Sequence, residues 1–207
     1  MTPFRVVVAD PPWSFADSLP GPKRGASKHY DTMSVDEIAG FELPPIADDA
    51  WLFLWRVASM TVEALWVARA WGFTPKSEIV WVKTLDDDPA DTMYPIVAAS
   101  RESGGIVDVG TVAYKAAERA RRLRIGMGRS VRNAHESCLV CKRGRPERRH
   151  ADVPSVIFAK RRAHSEKPER FFTAVERLSD GPYLELFARR ARPGWTTLGD
   201  ELPQAAE

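Results

Sequence analysis

The stretch Phe4-Arg-Val-Val-Val-Ala-Asp-Pro-Pro-Trp-Ser-Phe15 decides how this chain is read. Arg5 to Ala9, β-branched or small after its first residue and with no polar alternation, is predicted to be a buried strand. Pro11 and Pro12 stop it, because neither has an N–H for the ladder. Asp10 therefore stands at the carboxyl end of a buried strand, and open α/β sheets bind ligands beyond those ends.

Working outward, strands alternate with helices. Ser34-Val-Asp-Glu37 reads as a capping box opening a short helix. Residues 51 to 55, Trp-Leu-Phe-Leu-Trp, are a second buried strand. Residues 60 to 71 are expected to be helical, with Val62, Leu65, Trp66 and Ala70 on one face and Gly72 as the stop. Residues 78 to 83 give a third strand, 136 to 142 a fourth and 155 to 159 a fifth. Pro168 opens a helix with a buried stripe of Phe171, Phe172, Val175 and Leu178. Residues 183 to 188 and 195 to 199 are the last strands. The pattern predicts a three-layer α/β sheet.

Composition sets limits. A chain of 207 residues, 44% hydrophobic and 28% charged, fits one soluble domain, 1–207, with an insertion or lid at about 84–125. It has no apolar run long enough for a membrane span and no signal-peptide layout at its start, which points to the cytoplasm. Two cysteines make no disulfide framework. Net charge is +2, but residues 115–149 hold twelve Lys or Arg against three Glu. Such a segment is a candidate nucleic-acid footprint or a solvated basic surface, and its first part, 115–124, is expected to be a basic helix.

Asp10 to Trp13 suit one chemistry well. The exocyclic amine of a purine is a poor nucleophile, because its lone pair is conjugated into the ring. The Asp10 carboxylate can accept one N–H and the Pro11 carbonyl the other. The prolines fix both acceptors, and rigid placement avoids reorganisation during reaction. Trp13 can stack on the base. The same residues also suit an Asp-initiated turn with Trp13 in the core.

The chain resembles the MT-A-seventy family of Asp-Pro-Pro-Trp amino-methyltransferases, including its bacterial and phage relatives. The blocks VVVADPPW, HYDTMSVDEI, WLFLW, AWGF with IVWVK, NAHESCLV, HSEKPE, LELFARR and GWTTLGDE run in the family's order. Only about 84–125 has no counterpart. The resemblance implies a Rossmann-like methyltransferase fold with permuted, β-type motif order. It implies transfer of a methyl group from S-adenosylmethionine to N6 of adenine in nucleic acid, DNA favoured over RNA, with no metal. It also implies a possible homodimer or heterodimer.

Residue by residue, the resemblance makes Asp10, Pro11, Pro12 and Trp13 catalytic. It places Tyr30, Trp81, Lys83, Arg129 and Arg132 at the substrate. It assigns the cofactor to Arg143, His164, Ser165, Lys167, Leu186, Phe187, Arg189, Asp200 and Glu201. Asp200 stands where asparagine is usual, keeping an acceptor and losing a donor. Arg129 and Ser130 stand where relatives carry aromatics. Blander readings exist: Trp81 in the core, Lys83 as a solvated charge, His164 to Lys167 as a helix cap, and Asp200 with Glu201 as an acidic tail.

Other readings fit less well. His135, Cys138, Cys141 and His150 have zinc-ligand chemistry, but three residues along a strand put the two thiols on opposite faces. A non-catalytic nucleic-acid-binding subunit and a cytosine-N4 methyltransferase are the remaining alternatives.

Overall fold

The computed structural model describes residues 2–14, 32–85, 123–125, 131–161 and 166–199. Strand β1 (Phe4–Ala9) forms as its β-branched run requires, with Val6 to Ala9 almost wholly buried. Each such valine contributes about 1.5–3 kcal/mol by leaving water. Helix α1 (Val35–Ala39) starts at the expected capping box, with reciprocal bonds between Ser34 and Glu37. Strand β2 (Ile46–Arg56) is longer than its apolar centre suggests, because its first residue pairs with Phe4.

Helix α2 (Thr61–Ala70) and strand β3 (Thr74–Thr84) follow. Gly72 joins them at φ +81°, a backbone state that suits glycine. Strands β4 (His135–Arg143) and β5 (Val156–Lys160), helix α3 (Glu169–Leu178), and strands β6 (Tyr183–Leu186) and β7 (Trp195–Leu198) complete the described elements.

The chain forms two compact units. The first is Met1–Ile79, Ser137–Ser155 and Ala174–Glu207; the second is Val80–Glu136 and Val156–Thr173. In the first unit the strand order is β3-β4-β2-β1-β6-β7. Strands β1, β2, β6 and β7 run parallel, and β4 runs antiparallel to β2. In the second unit the end of β3 pairs in parallel with β5.

One face of the first unit's sheet packs Val7, Ala9, Leu52, Leu54, Leu184 and Leu186 with Ile38 of α1 and Ala64, Val67 and Ala68 of α2. The residues that alternate with them, such as Val6, Val8, Phe53 and Trp55, are buried too. A sheet buried on both faces is that of a three-layer α/β fold. Strand β6 comes late in the chain and lies directly beside β1, with Ala9 level with Leu186. This is the permuted order, in which the last sequence blocks meet the first.

The structure corrects three details. Val62, Trp66 and Ala70 of α2 are exposed and Leu65 is half-buried, while Ala64 and Ala68 face the sheet with Val67. Bulk misled the sequence reading, since small residues let a helix approach a sheet closely. Strand β6 ends at Leu186, because Phe187 turns to φ 59°. Leu123 and Arg124 are extended: Leu123 bridges Thr84, and the Arg124 N–H bonds the Lys83 carbonyl. The rest of the expected basic helix, and the insertion apart from 84–85 and 123–125, lie outside the described residues. No helix among the described residues is long and apolar enough to cross a membrane.

Candidate active site

The Asp10 turn is built from backbone bonds. The Asp10 N–H points to the Leu186 carbonyl at 3.5 Å, which ties the end of β1 to the end of β6. Pro11 O accepts the Trp13 N–H at 2.9 Å, closing a tight turn. Pro12 O accepts the Met33 N–H, and Met33 O accepts the Ser14 N–H, both at 2.8 Å. The Thr32-Met-Ser34 block that opens α1 is thereby stitched to the Pro-Pro turn.

Trp13 is the anchor of this turn. It is 4% exposed, sits in the core cluster, and donates Nε1–H to the Trp55 carbonyl at 3.0 Å. The stacking expected of it has no open ring face to act through here. Its indole instead locks the two prolines, and so the acceptors of Asp10 and Pro11, to β2. A carbonyl has two lone pairs, so Pro11 O retains one beyond its bond to Trp13.

Beside Asp10 lies the end of β6. Leu186 was expected to line a pocket, but its side chain is wholly buried in the core, because it shares a face with Ala9 and Leu54. Phe187 is half-buried, packs against the edge of the same core cluster and lies on Phe41, ring centroids 5.1 Å apart. Glu185, on the opposite face from Leu186, has Arg192 Nε 3.7 Å from its carboxylate. Arg189 is half-buried in the following turn. Gly199 closes this end: a Cβ there would stand 2.1 Å from the Ala188 carbonyl oxygen. Gly199→Ala is therefore expected to cost about 1–3 kcal/mol by overpacking, read as a lower urea midpoint. It should weaken any ligand held by the 187–190 turn at the same time.

The second unit holds a different constellation. Glu136 sits between two ammonium groups, Lys83 Nζ at 2.5 Å and Lys167 Nζ at 3.2 Å. Burial by itself would raise the Glu136 carboxyl. The charges of Lys167 and then Lys83, reinforced by their hydrogen bonds, outweigh it and hold the group at about 2. Lys83 also lies 5.3 Å from the centre of the Trp81 ring, within cation–π range. Trp81 itself is 2% exposed and donates Nε1–H to the Ala159 carbonyl, so it is a core residue of this unit. The triad carries one net positive charge in a largely dry setting.

Residues 4–103 and 111–201 match the profile of the MT-A70 family. The chain belongs to the MT-A70 family. It is 31% identical over 206 residues to the human N(6)-adenosine-methyltransferase catalytic subunit METTL3, covering 96% of this chain and 28% of that protein. It is 30% identical over 203 residues to the Drosophila melanogaster N(6)-adenosine-methyltransferase MT-A70-like protein, covering 96% and 27%. Human N(6)-adenine-specific methyltransferase METTL4 is 26% identical over 204 residues, covering 96% and 37%. This MT-A70 chain thus spans between a quarter and two fifths of the length of those relatives.

Within the MT-A70 frame, the expected site residues divide. Asp10, Pro11, Pro12, Trp13, Phe187 and Arg189 gather at the carboxyl ends of β1 and β6. Lys83, expected at the substrate, and Lys167, expected at the cofactor, share one carboxylate. Arg132 is exposed. Tyr30, Arg129, His164, Ser165, Asp200 and Glu201 lie outside the described residues.

Arg143 does not join the Asp10 end. It pairs with Ala50 at the amino end of β2, its Nη2 donates to the Trp71 carbonyl at 2.5 Å, and its guanidinium covers the Phe73 ring. The antiparallel course of β4 carries it there, and it pins the turn after α2. The same course carries 142–149, the last part of the basic segment, to the end of the first unit's sheet away from Asp10. Two arginines there are engaged: Arg149 with Asp180 at 2.8 Å and Arg145, through its N–H, with Asp49.

The two thiols are fully buried, and burial pushes Cys141 up to about 12, which removes it as a nucleophile near neutral pH. Glu136 and Glu185 escaped the sequence reading. Glu136 stood in plain view inside the NAHESCLV block, and Glu185 inside LELF, as the lone acid of each strand. A carboxylate within an apolar strand calls for a partner, and that was the signal available.

Proposed function

We propose that this chain transfers a methyl group to the exocyclic N6 of adenine in nucleic acid, with S-adenosylmethionine as donor. The observation that carries it is Asp10 at the carboxyl end of β1, in a Pro-Pro turn fixed by Trp13 and abutting the end of β6. Family membership and the methyltransferase names of the relatives support the same reading.

The donor set fits the cofactor. Glu185, level with Val8, offers an acceptor for ribose hydroxyls, Phe187 packed on Phe41 an apolar wall where β6 ends, and Arg189 a cation in the turn that follows. When bound, S-adenosylmethionine supplies an electrophilic methyl group on a sulfonium. The chain's own part is to place the amine. Asp10 accepts one N6 hydrogen and the free lone pair of Pro11 O the other, which turns the nitrogen lone pair out of conjugation. As N6 gains the methyl group, its proton moves toward the Asp10 carboxylate. If the target base lies in a duplex, it must leave the stack to reach this turn.

DNA is proposed ahead of RNA, although adenosine is the word in the name of METTL3 and adenine in that of METTL4. One assay separates them: labelled S-adenosylmethionine with matched single-stranded DNA, duplex DNA and RNA, and mass spectrometry of the nucleosides. N6-methyladenine is the expected product. N4-methylcytosine, or no product from a protein that binds the cofactor, overturns the reading.

A further inference from the structure

Arg56 ends β2 on the same edge of the first unit's sheet as Asp10. Ala9 is level with Leu54, so Arg56 lies one residue beyond the position opposite Asp10. Its side chain is 13% exposed. Among the described residues the guanidinium makes one hydrogen bond, Nη2 to Glu78 Oε2 at 3.2 Å, and its Nε–H is buried with no acceptor.

An arginine has five N–H donors, and a donor withdrawn from water without an acceptor is costly. Such a group calls for an explanation by an absent ligand or water. Glu78 is a weak explanation: its side chain is 45% exposed and it engages one nitrogen only. Exposed pairs of this kind contribute little. A phosphodiester, with two anionic oxygens, is the better match for a guanidinium fork.

We propose that Arg56 is a substrate-positioning residue that receives a backbone phosphate next to the target adenine, and that Glu78 covers it in the free protein. This rests on the function proposed above and adds a residue and a competitor to it. On binding, the phosphate takes over the guanidinium and Glu78 turns to water.

The test is fluorescence anisotropy with a labelled oligodeoxynucleotide and a matched oligoribonucleotide, across a range of KCl, for wild type, Arg56→Ala, Arg56→Lys and Glu78→Gln. Arg56→Ala is expected to raise Kd about tenfold and to reduce the salt slope by about one. Arg56→Lys recovers part of the loss, keeping the charge without the fork. Glu78→Gln lowers Kd about two- to fivefold, because a competitor is gone. A purely structural ion pair predicts the opposite: both partners' variants lower the melting midpoint alike and leave Kd and salt slope unchanged. That result, or a wild type with no affinity for either oligonucleotide, overturns the proposal. If Arg56→Ala does not fold, Glu78→Gln decides alone. Methyl transfer by the wild type is scored separately. Transfer with Arg56-independent binding sinks this inference and spares the function; Arg56-dependent binding without transfer sinks the function and, with it, the placing of the phosphate beside a target adenine, while the Arg56–phosphate contact stands.

Discussion

Asp10→Ala is expected to lower methyl transfer by about a thousandfold while leaving the fold and cofactor binding close to wild type. The magnitude is that of removing one preorganised polar contact to a reacting centre, about 100- to 1,000-fold, with the loss of the proton's destination added. The fold should survive for local reasons. Backbone bonds of Asp10, Pro11 and Pro12 and the bond of the Trp13 indole hold the turn, and the substitution removes none of these. The buried run Val6 to Ala9 is untouched. Asp10→Asn keeps an oxygen acceptor in place and loses the charge, so it should fall between wild type and alanine. The measurement is single-turnover transfer at saturating cofactor, beside equilibrium binding of S-adenosylmethionine. A folded Asp10→Ala protein that turns over normally would remove the amine-orienting role of this carboxylate.

What the sequence disclosed was whatever depends on short range. The β1 run, the Ser34–Glu37 box, Gly72 after α2, and the Phe171, Phe172 and Val175 stripe are each set by neighbours a few residues apart, and each forms as expected. Asp10 at a strand end followed from the same local logic. What escaped depends on partners distant in the chain. Trp13 reads equally as a stacking aromatic or a core residue until its bond to Trp55 decides for the core. Arg143 reads as a site cation until the antiparallel course of β4 carries it to the Trp71 carbonyl. Glu136 reads as the first residue of a strand, with no role, until Lys83 and Lys167 close on it. Local patterns name the candidates, and topology decides which of them meet.

That last cluster gives a prediction of comparable size. Glu136→Gln is expected to destabilise the protein by about 3 kcal/mol at pH 7, because it leaves two ammonium groups, one of them buried, without their anion. Acid titration of the wild type should report the same energy. The folded-state value of Glu136 is about 2, below its ordinary 4.5. Its stabilisation is therefore complete above about pH 4.5 and is lost as pH falls through about 2; a shift of this size corresponds to roughly 3 kcal/mol. Urea midpoints of wild type and Glu136→Gln should thus converge on acidification. Exchange of the Lys83 amide, bonded to the Ala134 carbonyl at 2.8 Å, offers a local readout in the same unit. Adding Lys167→Met to Glu136→Gln removes the more buried of the two unpaired charges and should restore part of the loss. Parallel acid profiles for wild type and Glu136→Gln would mean that the two lysines gain nothing from the carboxylate. Convergence with rescue by Lys167→Met would mean that the triad holds its unit together as an ionic core, and that any ligand reaching Lys83 or Lys167 must compete with Glu136 for them.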